Sequence, residues 1–298
     1  MHKGAALAGG SKPSRTCGVR AGAVTREAAD ATPGVVPLLV EVAEHNARLL
    51  RSAGVRWARD VGLVRADDPV DGRRRPLALG VRERWSGRCE YPYVRAAGSW
   101  VSRAGTLPGG LSVAVEDGDG LVAAAAGQLD DGADVVKLYL DGPDRETSPF
   151  WVSEVSSVVE AAHARAARVT AHSGMLPGAR VGAEAGVDSL EYGFQLDSAV
   201  VALMAANNVA LVSTLAVLES WRTFSRTTVL PRFVEPPRKR EIAARREWAH
   251  ESVRLAARDG VLIAAGTDLA ADRCAPTSSP GRWNAWLPQA WSLGRRWR

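Results

Sequence analysis

The sequence is poor in cysteine, in long apolar runs and in nucleotide-binding glycine motifs, and each shortage removes a class of protein. Its three cysteines, Cys17, Cys89 and Cys274, are far apart and odd in number. That argues against a disulfide framework and against a cysteine-rich zinc site. No apolar run reaches the ~18 residues that mark a membrane span. The N-terminus, "MHKGAALAGGSKPSRTCGVRAGAV", lacks the apolar stretch of a secretory signal, so a cytoplasmic protein is expected. No G-x-G-x-x-G follows a strand-like segment and opens a helix, and no G-x-x-x-x-G-K-[ST] occurs. The dinucleotide and P-loop readings therefore lack their residues.

The formal net charge is +5, but it is not spread over the chain. Residues 273–298 hold Arg273, Arg282, Arg295, Arg296 and Arg298 and no acid, so the tail alone supplies the excess and the rest is neutral. A nucleic-acid partner is not expected, nor is a membrane. What the chain does have is 298 residues with 46% hydrophobic and 24% charged composition, enough for a sizeable core in one soluble α/β domain.

From about residue 35 to 270, helical and strand-like stretches alternate. "EVAEHNARLLRSAG" (41–54) carries apolar residues at helical spacing, and "VRWARDVG" follows as a strand. Strands are then expected at "YPYVRAAGSWVS", "DVVKLYLDG", "RVTAHSG", "DSLEYGF", "VALVSTLAV" and "VLIAAGTD". Helices are expected at "LVAAAAGQLDDGAD", "WVSEVSSVVEAAHARAA", "GARVGAEAG", "SAVVALMAANN" and "EIAARREWAHESVRLAARDG". This alternation predicts βαβ units and a parallel sheet. Seven strands follow residue 54, and one more near the N-terminus would close a (β/α)8 barrel; a doubly wound open sheet is the other arrangement. In such a barrel the active site lies at the C-terminal strand ends. The residues to consider there are Asp60 after strand two, Lys137 within strand four, His172 after strand five, Tyr192 after strand six and Asp268 after strand eight.

"DVVKLYLDG", "VTAHSG", "GVDSLEYGF" and "IAAGTD" occur in that order, with His172 and Tyr192 twenty residues apart. The pattern resembles the metal-dependent amidohydrolase superfamily, in its imidazolonepropionase-like and prolidase-like branch, over residues 36–272. The resemblance implies a TIM-like barrel and hydrolysis of amide, cyclic amide or small dipeptide-like carbon–nitrogen bonds. It implies one or two divalent metals, zinc by preference, with a carboxylated Lys137, His172 and Asp268 as ligands and Asp268 also as catalytic base and then acid. The chemistry of that set is coherent. A buried lysine loses its charge by desolvation and can take up carbon dioxide. A metal lowers the pKa of bound water to about 7, and a nearby carboxylate can accept the proton. His45, His163 and His250 lie in helical stretches and are read as surface or core residues.

The departures are as specific as the matches. Tyr192 stands where the family has a histidine ligand, and a neutral phenol, with an ordinary pKa of ~10, is a poor ligand. No strand-one H-x-H is present: the first 40 residues hold only His2, and Gly18 and Arg20 in "TCGVRAG" fall nearest those positions. Residues 1–35 thus form an atypical segment in which a remnant of strand one is expected, and the small β-sandwich that usually accompanies the barrel is not expected. Residues 273–298 form an irregular tail with Trp283, Trp286, Trp291 and Trp297. A frameshift accounts for it, since reading one base earlier turns each Trp into Leu, Val or Met and permits an amphipathic helical segment. The expectation is a truncated, impaired copy that takes a small-molecule substrate, with self-association into a homo-oligomer left open. Two other readings stay open: a non-catalytic barrel binding a small molecule without metal, and an isomerase or lyase using Lys137 as a Schiff-base amine.

Overall fold

The computed structural model describes residues 35–62, 64–107, 112–224 and 231–268. The expected strand-one remnant with Gly18 and Arg20, and the Trp/Arg tail, lie outside the described residues.

Helix α1 (Val35–Ser52) leads into β1 (Trp57–Asp60), a short antiparallel hairpin β2 (Arg65–Asp67) and β3 (Arg74–Pro76), helix α2 (Leu77–Trp85) and β4 (Tyr93–Ala96). There follow β5 (Trp100–Arg103), β6 (Ser112–Val115), α3 (Gly118–Asp130), β7 (Val135–Tyr139), α4 (Val152–His163), β8 (Arg168–Ser173), α5 (Leu176–Ala185), β9 (Ser189–Tyr192) and α6 (Ser198–Ala206). The described chain closes with β10 (Ala210–Ser213), α7 (Leu215–Phe224), α8 (Pro231–Val234), α9 (Pro236–Arg258) and β11 (Ile263–Ala265).

Seven strands form one sheet in the order β11-β10-β9-β8-β7-β5-β6, and every pairing in it is parallel. The mixed α/β architecture with a parallel sheet is therefore as read from the alternation. Closure is not observed: among the described residues β1 pairs with β4 and β11 with β10, and no ladder joins β1 to β11. The β1–β4 pair is attached beside β7 through a bridge between Ala97 and Val135 and a 2.9 Å bond from the Asp134 N–H to the Ala96 carbonyl.

The helices begin and end where the local chemistry directs. Asp117 caps α3 by accepting from the Gly120 N–H at 2.8 Å, and Asp197 caps α6 by accepting from the Val200 N–H at 2.7 Å. Proline opens α9, and Gly186 ends α5 in the left-handed conformation. Neighbouring helices α3, α4, α5 and α6 pack side by side against the sheet. Val136, Leu138, Val169, Leu190 and Leu211 bury against Leu121, Val155, Val158, Val200 and Met204 to make the main core. A second, smaller core gathers Val40 and Ala47 of α1, Val81 and Trp85 of α2, and Tyr91 and Val94.

Three expectations need correction. The single strand expected over "YPYVRAAGSWVS" is two, because the chain breaks at Ala97–Ser99 where the Gln128 side chain enters. Gln128 Oε1 accepts from the Ser99 N–H at 2.6 Å, and a Cβ on Gly98 would lie 1.8 Å from that oxygen, so a side chain at 98 would push the Gln128 amide out of this bond. The strand expected over "VALVSTLAV" stops at Ser213, and the remaining apolar residues start α7, where Val217 and Leu218 bury against Phe194 and Ala249. A short apolar run does not reveal its own period. Finally, β2, β3, α2, β6 and α8 lie in stretches where no element was expected.

Candidate active site

Residues paired across parallel strands point to the same side of the sheet, and the register aligns two polar rows. Lys137 on β7 pairs with Thr170 on β8, which pairs with Ser189 on β9. Two residues further along, Tyr139 pairs with His172, which pairs with Glu191. Lys137, only 1% exposed, donates its ammonium to Glu191 in a buried ion pair. Glu191 also accepts from the Thr170 hydroxyl at 3.0 Å, and that hydroxyl lies 2.8 Å from Ser189 Oγ.

The row beyond holds two further couples. His172 Nε2 lies 3.2 Å from Asp141 Oδ2, and Asp141 also accepts from the Ser173 hydroxyl and the Gly174 N–H, each at 2.8 Å. The Tyr192 hydroxyl donates to Asp268 Oδ2. Both members of that couple hold left-handed backbone, φ 75° at Tyr192 and φ 50° at Asp268. Such conformations are costly for residues other than glycine and concentrate at functional sites.

An aromatic row runs across the same strand ends. Tyr139 stacks on His172 at 4.5 Å between ring centroids, Trp100 lies 6.2 Å beyond Tyr139, and Tyr192 tilts against His172 at 4.3 Å. Phe194 closes the row against Tyr192 at 4.9 Å. Trp100 is held by its indole N–H, which donates to the Val61 carbonyl at 2.8 Å.

Burial dominates the electrostatics. It pushes the Lys137 ammonium down from its ordinary pKa, opposed by the attraction of Glu191. Asp268 is pushed up by burial, opposed by the Tyr192 hydrogen bond and the charges of His172 and Lys137. Asp60, at the end of β1, is likewise pushed up by burial, against the Gly62 N–H and with help from the charge of Glu191. For Asp141 burial acts upward too, but the His172 contact and the bonds from Gly174 and Ser173 outweigh it and hold the carboxyl below the ordinary value. Burial and the Asp141 charge raise the Tyr139 phenol to about 12.

The strand-end residues singled out in the sequence therefore meet in one region. Lys137, His172, Tyr192 and Asp268 are linked by contact or by charge, and Asp60 feels the charge of Glu191. His45 is exposed on α1, His163 is bound to Asp188 at 3.0 Å, and His250 sits on α9, all outside this region. Sequence reading missed Glu191, Asp141 and the aromatic row. Glu191 had a signal: two residues beyond Ser189 on a strand, it faces the same side as His172. Asp141 had none, because it lies past the end of β7.

The donor set does not fit the expected zinc. A bound metal needs lone pairs converging on one point. Here each donor belongs to a separate couple: Lys137 with Glu191, His172 with Asp141, and Asp268 with the Tyr192 phenol. A carboxylated Lys137 would set a second anion against Glu191. Among the described residues, no three or more His, Cys, Asp or Glu side chains group so as to hold a metal ion.

No family model matches the chain. Over 139 residues it is 37% identical to uncharacterized proteins of Mycobacterium bovis and Mycobacterium tuberculosis, a match covering 44% of this chain and 37% of each relative. The fold is similar to that of a prolidase solved with N-methylphosphonate-L-proline, with TM-score 0.68, 19% identity, and coverage of 91% of this chain and 67% of the other. A Xaa-Pro dipeptidase with methionine bound in its active site gives TM-score 0.66 at 22% identity, covering 87% and 64%. An amidohydrolase gives 0.61 at 20% identity, covering 84% and 63%. At these identities the likeness is one of fold. The chain matches little more than a third of its curated relatives' length and about two thirds of the solved chains.

Proposed function

We propose that this chain is by ancestry a hydrolase of the amidohydrolase superfamily, built on a (β/α)8 frame of the prolidase-like kind. Its substrate class is the small amide, cyclic amide or dipeptide-like carbon–nitrogen bond. One observation carries the reading: Lys137 within β7, His172 near the end of β8 and Asp268 after β11, far apart in sequence, share one buried polar region. The amidohydrolase and prolidase fold neighbours support it.

No step is routed through a metal, because the described residues do not form a ligand set for one. The chain's own groups supply a carboxyl whose proton affinity burial raises, Asp268, with a phenol held against it. A carboxylate brought closer to neutral pH is a better proton acceptor from water than an exposed one. His172, fixed by Asp141 and sandwiched by aromatic rings, is held in one orientation beside it. The aromatic row provides an apolar wall that excludes bulk water. The three closed couples also favour a second reading, in which this polar region binds a small molecule without turning it over.

The test is a substrate panel of Xaa-Pro dipeptides, N-acyl amino acids and cyclic amides, with released amine read by mass spectrometry with and without added zinc. Slow release that disappears in Asp268→Asn is the expected result. Absence of turnover across the panel, combined with saturable binding, favours the binding reading. Dialysed wild-type protein should retain substoichiometric zinc, and Tyr192→His should raise that occupancy. Stoichiometric zinc in the wild type overturns the conclusion that the couples leave no ligand set.

A further inference from the structure

Thr214 follows β10 and is 5% exposed, yet among the described residues its hydroxyl oxygen has no hydrogen-bond partner. Buried polar groups are almost always paired, so an unmatched one asks for a reason.

Register decides which way this side chain points. Val212 pairs with Glu191 on β9 and with Ala264 on β11, so it shares the face of Glu191 and Lys137. Strand alternation then places Thr214 and Gly266 on that face as well. The close approach between them agrees: a Cβ on Gly266 would lie 2.9 Å from both Thr214 Cγ2 and Val212 Cγ1. Asp268 stands two residues beyond Gly266, so Thr214 and Asp268 follow adjacent strands of the sheet.

The ordinary explanation for a threonine at this place is capping. A threonine just before a helix usually accepts an N–H two or three residues on. Here the Val217 N–H bonds to the Thr214 carbonyl oxygen at 3.0 Å instead, and the hydroxyl is left over. A leftover donor on the inner face, on the strand next to the one that delivers Asp268, fits an uncharged acceptor on a ligand. Glu191 and Asp268 disfavour an anionic acceptor there.

We propose that Thr214 donates its hydroxyl hydrogen to the carbonyl oxygen of the substrate amide and so positions the scissile group beside Asp268. The proposal rests on the hydrolase reading above and names the residue that would hold the amide.

The experiment compares wild type, Thr214→Val and Thr214→Ser, using glycyl-L-proline and N-acetyl-L-proline as probes. Without probe, Thr214→Val should melt at or above the wild-type temperature, because an unmatched hydroxyl is replaced by a methyl of the same shape. With probe, its KM or Kd should rise by about tenfold, the worth of one neutral hydrogen bond, while Thr214→Ser stays near wild type. A kcat that changes less than KM marks a contact made equally in ground and transition states. A Thr214→Val protein that melts lower overturns the proposal, since the hydroxyl is then structural. Unchanged KM, Kd and kcat in a stable Thr214→Val protein also overturn it. Wild-type protein that neither binds nor cleaves the probes removes the hydrolase reading and this proposal together, and does so before any substitution is compared.

Discussion

Around β7, β8 and β9 every strand has a parallel neighbour on both sides and a layer of helices behind it, and Lys137, Thr170 and Glu191 are all buried. In the other part of the molecule, β1 has β4 alone as its partner among the described residues, and Trp57 and Tyr93 stand 72% and 49% exposed, ring against ring at 4.7 Å. There a small apolar core is supplemented by charge: buried Asp68 binds Arg84 at 2.7 Å and Arg75 at 3.1 Å, tying the β2–β3 hairpin to α2. Both regions contain basic and acidic residues on short strands. Two-sided pairing and a helical cover remove water from Lys137 and Glu191 on the central strands, whereas on β1 burial shifts Asp60 at the strand end and leaves its neighbour in water. Arg59 on β1 stays exposed; Lys137 on β7 does not.

The comparison breaks most sharply at the buried ion pair. Lys137→Met leaves Glu191 buried without its partner and should cost about 3–5 kcal/mol in urea unfolding. The double change Lys137→Met with Glu191→Leu should recover much of that loss, because an apolar pair of similar volume replaces an ion pair at little cost. A small effect of the single change would mean that water reaches the pair.

Next in size is Asp141. Replacing it with Asn weakens the bonds from Ser173, Gly174 and His172 and should cost on the order of 1–3 kcal/mol at neutral pH. Its carboxyl is held below the ordinary 3.8 in the folded protein. A depressed folded pKa gives stability that is present above the unfolded value and is lost as the pH falls through the folded value. The gap between wild type and Asp141→Asn should therefore be constant near neutrality and shrink only below about pH 4. A gap that closes already near pH 6 would contradict the assignment.

The smallest effect belongs to the exposed side. Trp57→Ala removes a ring that is mostly in water and should cost under ~1 kcal/mol. A loss comparable to that of Lys137→Met would show that this face is covered, and the contrast between the two regions would fall.

Much of the site was legible because its residues sit at the ends of strongly apolar strands. "DVVKLYL", "VTAHSG" and "SLEYG" each announce a buried strand and thereby the side chain it delivers. Where the apolar run was short, as in "STLAV", strand and helix could not be told apart, and Thr214 was absorbed into the strand. Glu191 stood beside Tyr192 in view, but its role depends on a cross-strand neighbour fifty-odd positions away, and period-2 alternation names a face without naming a partner.

The sequence by itself determined the parallel α/β architecture, the main-core strands, and the order in which Lys137, His172, Tyr192 and Asp268 reach one end of the sheet. These follow from local periodicity, which needs no knowledge of neighbours. Only the tertiary structure decided that each of these residues is coupled to a different partner. Asp141 lies beyond a strand end, Glu191 answers Lys137 across two ladders, and Asp268 meets Tyr192 only when β9 and β11 are brought to either side of β10. Pairing of buried charges is a property of distance in space, and short-range sequence pattern carries no measure of that distance.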